Sequence, residues 1–253
     1  MRSFSRFTVL AAAVCVTGLV AGTRVQAAEI TVVASGGPLP SVMAAILPMF
    51  ERATGNKVTL NTKGGAAVPD DVRQGAADLI ITDAGVVDGL AKSGDVVAGS
   101  ATLLMISKVG VGVKAGAPKR DISTGDKLKA ALLAAKSVGY SQGPSGQHFL
   151  KVIERLGIAD AVKAKGVIPQ SGPVGPLVAK GEAEIGVQQV AELLAVPGVD
   201  LVGPLPNDLQ THFPLAAGVA TKAKDAATAR ALITFMRSAP ALAVMKEKGM
   251  DLP

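Results

Sequence analysis

The sequence predicts an α/β fold: a mostly parallel sheet flanked by helices. Short runs rich in β-branched residues, at 30–34, 57–62 and 77–82, alternate with helical patterns. Such alternation calls for crossover connections between parallel strands. The first run, Ile30-Thr-Val-Val-Ala34, is β-branched and apolar, as a parallel strand covered on both faces is. Glycine loops recur where a strand passes into a helix, at Ser35-Gly36-Gly37, Lys63-Gly64-Gly65 and Gly143-Pro144-Ser145-Gly146. Glycine there permits positive φ and close approach of a ligand to the backbone.

In chain order, residues 30–34 form the first strand and 41–54 a helix, with Gly55 placed to cap its C-terminus. Residues 57–62 are the next strand. Residues 68–74 are helical, with Pro69 suited to the first turn, 77–82 a third strand and 86–93 a short helix. Residues 109–113 make a strand before the turn Gly116-Ala117-Pro118. A helix over 124–136 leads to a strand at 137–140, the loop 141–148 and a helix over 149–156 stopped by Gly157. Residues 167–170 are extended, and a helix from Leu177 ends at Gly181. Residues 184–190 read as one buried strand, and 200–206 as an extended run kinked by its prolines. A strand at 215–219 and helices at 226–237 and 241–248, the last capped by Gly249, complete the chain. No repeat of 20–50 residues is visible.

A hydrophobic content of 49% against 18% charged residues excludes a disordered chain. Aromatics make up only 3%, with no Trp, which argues against a sugar-stacking lectin or a single-strand nucleic-acid platform. Residues 1–28 read as a cleavable signal peptide. Arg2 and Arg6 precede an uncharged apolar run over 9–20, and Val25-Gln26-Ala27 offers small residues at the cleavage positions, with cleavage expected after Ala27 or Ala28. The protein is therefore expected in the periplasm, with no membrane insertion after cleavage. Without Arg2, Arg6 and Arg24, 23 basic residues face 20 acidic ones, a net charge of +3 rather than +6. No basic stripe suits nucleic acid. The single cysteine, Cys15, lies in the apolar run, so the mature chain has no disulfide, thiolate metal site or cysteine nucleophile. No cofactor or metal is expected.

A helix that starts at a glycine loop presents unpaired N–H groups and the positive end of its dipole, and can hold an anion without a basic side chain. A plain strand–helix connection has the same appearance. His148, at a helix start, suits a ligand contact or a proton shuttle, or a half-exposed helix position. Lys63 suits a counter-charge or a solvated loop lysine. Gln188 and Gln189 end a buried strand, where amides must find partners. Asp78 and Asp83 flank an apolar strand as an acid–base pair, or as caps and turns. His212, beside Phe213, suits a hinge or the surface.

Several ordered segments resemble the molybdate-type periplasmic solute-binding proteins of ABC importers. They are the first strand with its loop, Phe50-Glu-Arg-Ala-Thr-Gly55, Ala77-Asp-Leu-Ile-Ile-Thr82, Val138-Gly-Tyr140 with Pro144-Ser-Gly146, Leu156-Gly157, Gly181-Glu-Ala-Glu-Ile-Gly186, and Phe235 with Met245-Lys-Glu-Lys-Gly249. The resemblance covers almost all of the mature chain. It implies a two-lobed periplasmic-binding-protein fold of type II, each lobe a mostly parallel sheet flanked by helices, with a ligand cleft between them. Lobe one would span 29–107 plus 208–253, and lobe two 108–207.

That family's serine in the first loop corresponds to Gly36 or Gly37, with Ser35 beside it, and the serine in its second loop to Gly64 or Gly65. Its backbone donors match Ser145 and Gly146, a further amide corresponds to Ser171, and a tyrosine becomes Gln189. Two hydroxyls and a phenol are missing, so a tetrahedral oxyanion is disfavoured. The glycines are expected to widen the cleft. Ser35, Lys63, Ser145, His148, Ser171, Gln188 and Gln189 suit a larger carboxylated ligand, with helix N-termini and one cation as balance. The expected function is capture of a small anion, an organic di- or tricarboxylate, for ABC-type uptake by a monomer working with a permease. The alternative is a periplasmic isomerase of aconitate type on the same fold, with His148 or a lysine moving the proton.

Overall fold

The computed structural model describes residues 27–253. The basic start, the apolar run and Cys15 of the expected signal peptide lie outside the described residues. The elements are β1 (Glu29–Ser35), α1 (Leu39–Thr54), β2 (Lys57–Lys63), α2 (Val68–Arg73), β3 (Leu79–Asp83), α3 (Ala84–Lys92), β4 (Thr102–Lys114), α4 (Gly125–Ala134) and β5 (Val138–Tyr140). They continue with α5 (Pro144–Arg155), α6 (Ala159–Lys163), β6 (Gly166–Val167), α7 (Gly175–Lys180), β7 (Ile185–Gln189), α8 (Val190–Leu194), β8 (Val199–Pro204), β9 (His212–Val219), α9 (Ala226–Met236) and α10 (Ala239–Glu247).

The strands run in the order β2-β1-β3-β9-β4-β7-β5-β6, with β8 also paired to β4. In the first lobe β1 pairs in parallel with β2 and β3; in the second, β5 pairs in parallel with β6 and β7. Between these parallel groups, β4 and β9 are antiparallel to their neighbours. β4 serves both lobes. Its start, Thr102–Lys108, pairs with β9, and Val109–Lys114 pairs with β7 and β8. At this seam the Val109 N–H donates to Gln210 Oε1 at 3.0 Å, and Gln210 Nε2 donates back to the Val109 carbonyl at 2.8 Å. One side-chain amide thus stands in for a strand partner where the ladder changes hands.

Each lobe has its own core. α1 buries Leu39, Val42, Met43, Ile46, Leu47 and Phe50, a stripe at helical spacing against β1 and β3. Phe50 meets Phe235 edge-on at 5.6 Å, tying α1 to α9. In the second lobe Phe149 packs against Tyr140 at 5.4 Å, within a core that also holds Val109, Leu128, Ile153 and Val187. Ala191 of α8 joins the first lobe's core although α8 directly follows β7 of the second. α8 therefore lies across the boundary between the lobes.

The structure departs from the sequence reading in three places near that boundary. The helix expected over 149–156 begins at Pro144, so Ser145, Gly146 and His148 lie in its first turns. The strand expected over 184–190 ends at Gln189, and Val190 opens α8. The strand expected over 109–113 is the second half of β4, which begins at Thr102. Among the described residues no helix is long and apolar enough to cross a membrane.

Candidate functional site

A cleft of about 670 Å³ opens between the lobes. The first lobe contributes Gly37, Pro40, Ser41 and Gly64, and the second Ser141–Ser145, the turn 169–173, Gln188 and Gln189, and Glu192 of α8. The loops of the first lobe are joined to each other, since the Gly36 N–H donates to the Lys63 carbonyl at 2.7 Å.

Two long helices start at this cleft without a side-chain cap. α1 follows Pro38, and α5 follows Gly143. In α1 the amides of Leu39 and Ser41 precede the first intrahelical bond, from the Val42 N–H to the Pro38 carbonyl. In α5 those of Ser145 and Gly146 precede the bond from the Gln147 N–H to the Gly143 carbonyl. These N–H groups and the helix dipoles favour negative charge. α3, α4 and α9, whose starts do not line the cleft, are capped by Asp83, Thr124 and Asp225; α10 also lacks a cap, at Ser238.

Of the residues singled out from sequence, Gly37, Gly64, Ser145, Ser171, Gln188 and Gln189 line this one cavity. Ser35, Gly36, Gly65 and Gly146 are not among the residues that line it. Gly146 has a packing reason to be glycine, because a Cβ there would overlap the Ser141 carbonyl oxygen. Gly37 has φ +71, and a Cβ on it would lie 3.2 Å from Gln189 Nε2. The space that this glycine leaves is thus taken up by the Gln189 amide reaching across from the second lobe, rather than left open to widen the cleft.

Lys63 and His148 do not line the cavity. Lys63 Nζ sits 2.7 Å from Asp71 Oδ1 in a half-exposed ion pair. His148 Nε2 donates to the Leu209 carbonyl at 2.8 Å, clipping α5 to the segment that returns to the first lobe. Asp78, buried, accepts from the Thr31 and Lys224 amides, and Asp83 caps α3 through the Gly85 N–H, so these two carboxylates serve as backbone clamps. His212 is exposed and pairs in register with Lys108 at the crossing.

Glu192 was not singled out from the sequence, where it is one acid in an apolar run, Val-Ala-Glu-Leu-Leu-Ala. It is the one ionisable side chain among the cleft-lining residues. Burial raises its pKa from 4.5 to about 7, and hydrogen bonds from Gln189 and Gln188 only partly offset that. Gln188 is held at both ends: its Oε1 accepts the Val174 N–H at 2.7 Å, and its Nε2 donates to Glu192 Oε1 at 2.9 Å. Among the described residues no cluster of three or more His, Cys, Asp or Glu side chains is placed to hold a metal ion.

Comparison with known proteins agrees with this architecture. The chain is 33% identical over 243 residues to an aconitate isomerase from Pseudomonas sp, spanning 92% of each chain. It is 28% identical to the molybdate-binding protein ModA of Azotobacter vinelandii, over 90% of this chain and 91% of that one. The solved periplasmic molybdate-binding protein of Azotobacter vinelandii superposes with a TM-score of 0.71 at 21% identity, covering 89% of this chain and all of that one, and so shares the fold. The family model described as bacterial extracellular solute-binding protein matches residues 30–251, and the chain belongs to that family.

Proposed function

We propose that the interlobe cleft captures a small organic di- or tricarboxylate in the periplasm, for delivery to an ABC-type permease. The observation that carries this reading is the wall of the cleft: two uncapped helix starts, neutral amides and hydroxyls, one largely buried acid, Glu192, and no basic side chain, around a space of about 670 Å³. That volume suits an organic ligand of several carboxylates, within the usual range of roughly 300–1,000 Å³ for small-molecule sites. Glycines, Gly36 or Gly37 and Gly64 or Gly65, stand where the resemblance leads one to expect hydroxyls for a compact metal oxyanion. The relative named aconitate isomerase adds support, because its name specifies a tricarboxylate.

A second reading, isomerisation of such a ligand, is favoured by Glu192. Moving a proton between carbons needs a group that exchanges protons near neutral pH, and a carboxyl with a pKa of about 7 in the cleft wall is one. His148, bonded to Leu209, is not in position for that work.

Thermal shift of the purified protein with molybdate, tungstate, citrate, cis-aconitate and trans-aconitate tests the first reading. Stabilisation by the carboxylates and not by the oxyanions is expected; tight molybdate binding would overturn it. Following trans-aconitate by proton NMR tests the second. Conversion by the wild type that Glu192→Gln abolishes would establish it, and absence of conversion leaves capture alone.

A further inference from the structure

Glu192 has a chemical problem that any anion entering the cleft makes worse. Its Oε1 is occupied by Gln188, whose amide cannot turn because Val174 holds its other end. Its Oε2 faces the first lobe, 4.0 Å from the position a Cβ would take on Gly37, and the carboxyl also accepts a hydrogen bond from the Gln189 amide, which a protonated oxygen can do while donating its own O–H. No charge faces it from the elements packed around α8. β7 presents the neutral Gln188 and Gln189, and the start of α1 presents Pro40 and Ser41. Lys63 is engaged with Asp71. Lys108, Lys246 and Asp251 gather with Val190 and Leu194 around a separate pocket, which Glu192 does not line. Asp200 of β8 is bonded to the Gly116 N–H.

We propose that Glu192 is the recognition acid of the cleft: it meets the ligand in its protonated form and donates its Oε2–H to a ligand carboxylate oxygen, so that capture at alkaline pH takes one proton from solvent. The inference rests on the polycarboxylate reading above. Two carboxylates in contact without a cation between them disfavour full ionisation of both, and the one already disfavoured by burial takes the proton. The resulting O–H···O⁻ bond is of the short, charge-assisted kind. The proton comes from water or buffer, an O–H bond forms on Glu192, no other covalent bond changes, and the proton returns to solvent on release. The bond also gives selectivity, since a neutral analogue of the ligand offers no charged acceptor.

The test is calorimetric titration of trans-aconitate into the protein at pH 6 and pH 8.5, in buffers of differing ionisation enthalpy. The wild type is expected to take up about one proton per ligand at pH 8.5 and almost none at pH 6, with affinity falling about tenfold per pH unit above 7. Glu192→Gln, which keeps a donor in place, is expected to bind with no proton uptake and a flat pH profile. Binding by the wild type at pH 8.5 without proton uptake overturns the inference while leaving the polycarboxylate reading intact, as does uptake that persists in Glu192→Gln. Failure to bind trans-aconitate at pH 6, where the acid is already protonated, overturns both. The decisive proton count is read on the wild type and does not depend on the variant folding.

Discussion

Glu192 should leave a mark on the unliganded protein as well. Its folded pKa of about 7 lies above the ordinary 4.5, so between those values the folded state holds the extra proton. Stability therefore declines as pH rises through this window, by up to about 1.4 kcal/mol per pH unit from this group. Glu192→Gln should match the wild type in melting temperature near pH 4.5 and exceed it at pH 8, as scanning calorimetry can measure. At His148 the expectation is the reverse of the one the sequence invites. His148→Ala should lower stability by about 1 kcal/mol through loss of the Leu209 contact, read by urea unfolding, and leave ligand affinity within about twofold. The sequence announces His148 and conceals Glu192 for different reasons: Glu192 has its partners close in the chain but rides on a helix too short to be marked. A side chain's partner can lie 61 residues away, as Leu209 does, and nothing local to a histidine after a glycine loop reveals which way it turns.

At the scale of elements, most long strands and helices are legible because their signals are strong, although of β4, Thr102–Lys114, only 109–113 reads as strand. β1 and β3 are apolar runs bounded by turns, and α1 carries a full amphipathic stripe ended by a left-handed Gly55. Short elements were not legible. α8 has five residues, too few for a period, and Val190 extends the preceding β-branched run so naturally that it reads as strand. α5 was read late because Gly-Pro-Ser-Gly has loop composition, although Pro144 at the first helical position is itself a start signal. The candidate site suffered more than the fold, since both misread boundaries lie at the cleft. The start of α5 makes its own prediction. Gly146→Ala forces a methyl group against the Ser141 carbonyl and must displace backbone there. It should cost about 1–3 kcal/mol of stability and weaken binding of the carboxylate by about tenfold or more, measured by calorimetric titration.

For the whole molecule, we propose that the lobes divide at 107/108 and 207/208, consistent with β4 changing partners between Lys108 and Val109. The halves are nonetheless bound together, because both draw on β4 and because Ala191 of α8 contributes to the first core. A single cooperative thermal transition is expected, and two resolved calorimetric peaks would contradict it. Ligand at about a hundredfold over its dissociation constant should add about 2.7 kcal/mol to that one transition.

Gln210 gives the seam an unusual mechanical character. A continuous strand ladder resists twisting at every rung, whereas here part of the torsional stiffness at Val109 comes from one amide that both accepts and donates, beside the backbone bond from the Leu205 N–H to the Val109 carbonyl. A carboxylate at the same place could still accept but would repel the Val109 carbonyl, freeing rotation about the joint without touching anything the ligand meets. The swing of one half against the other can thus be tuned by a position that never sees the cargo.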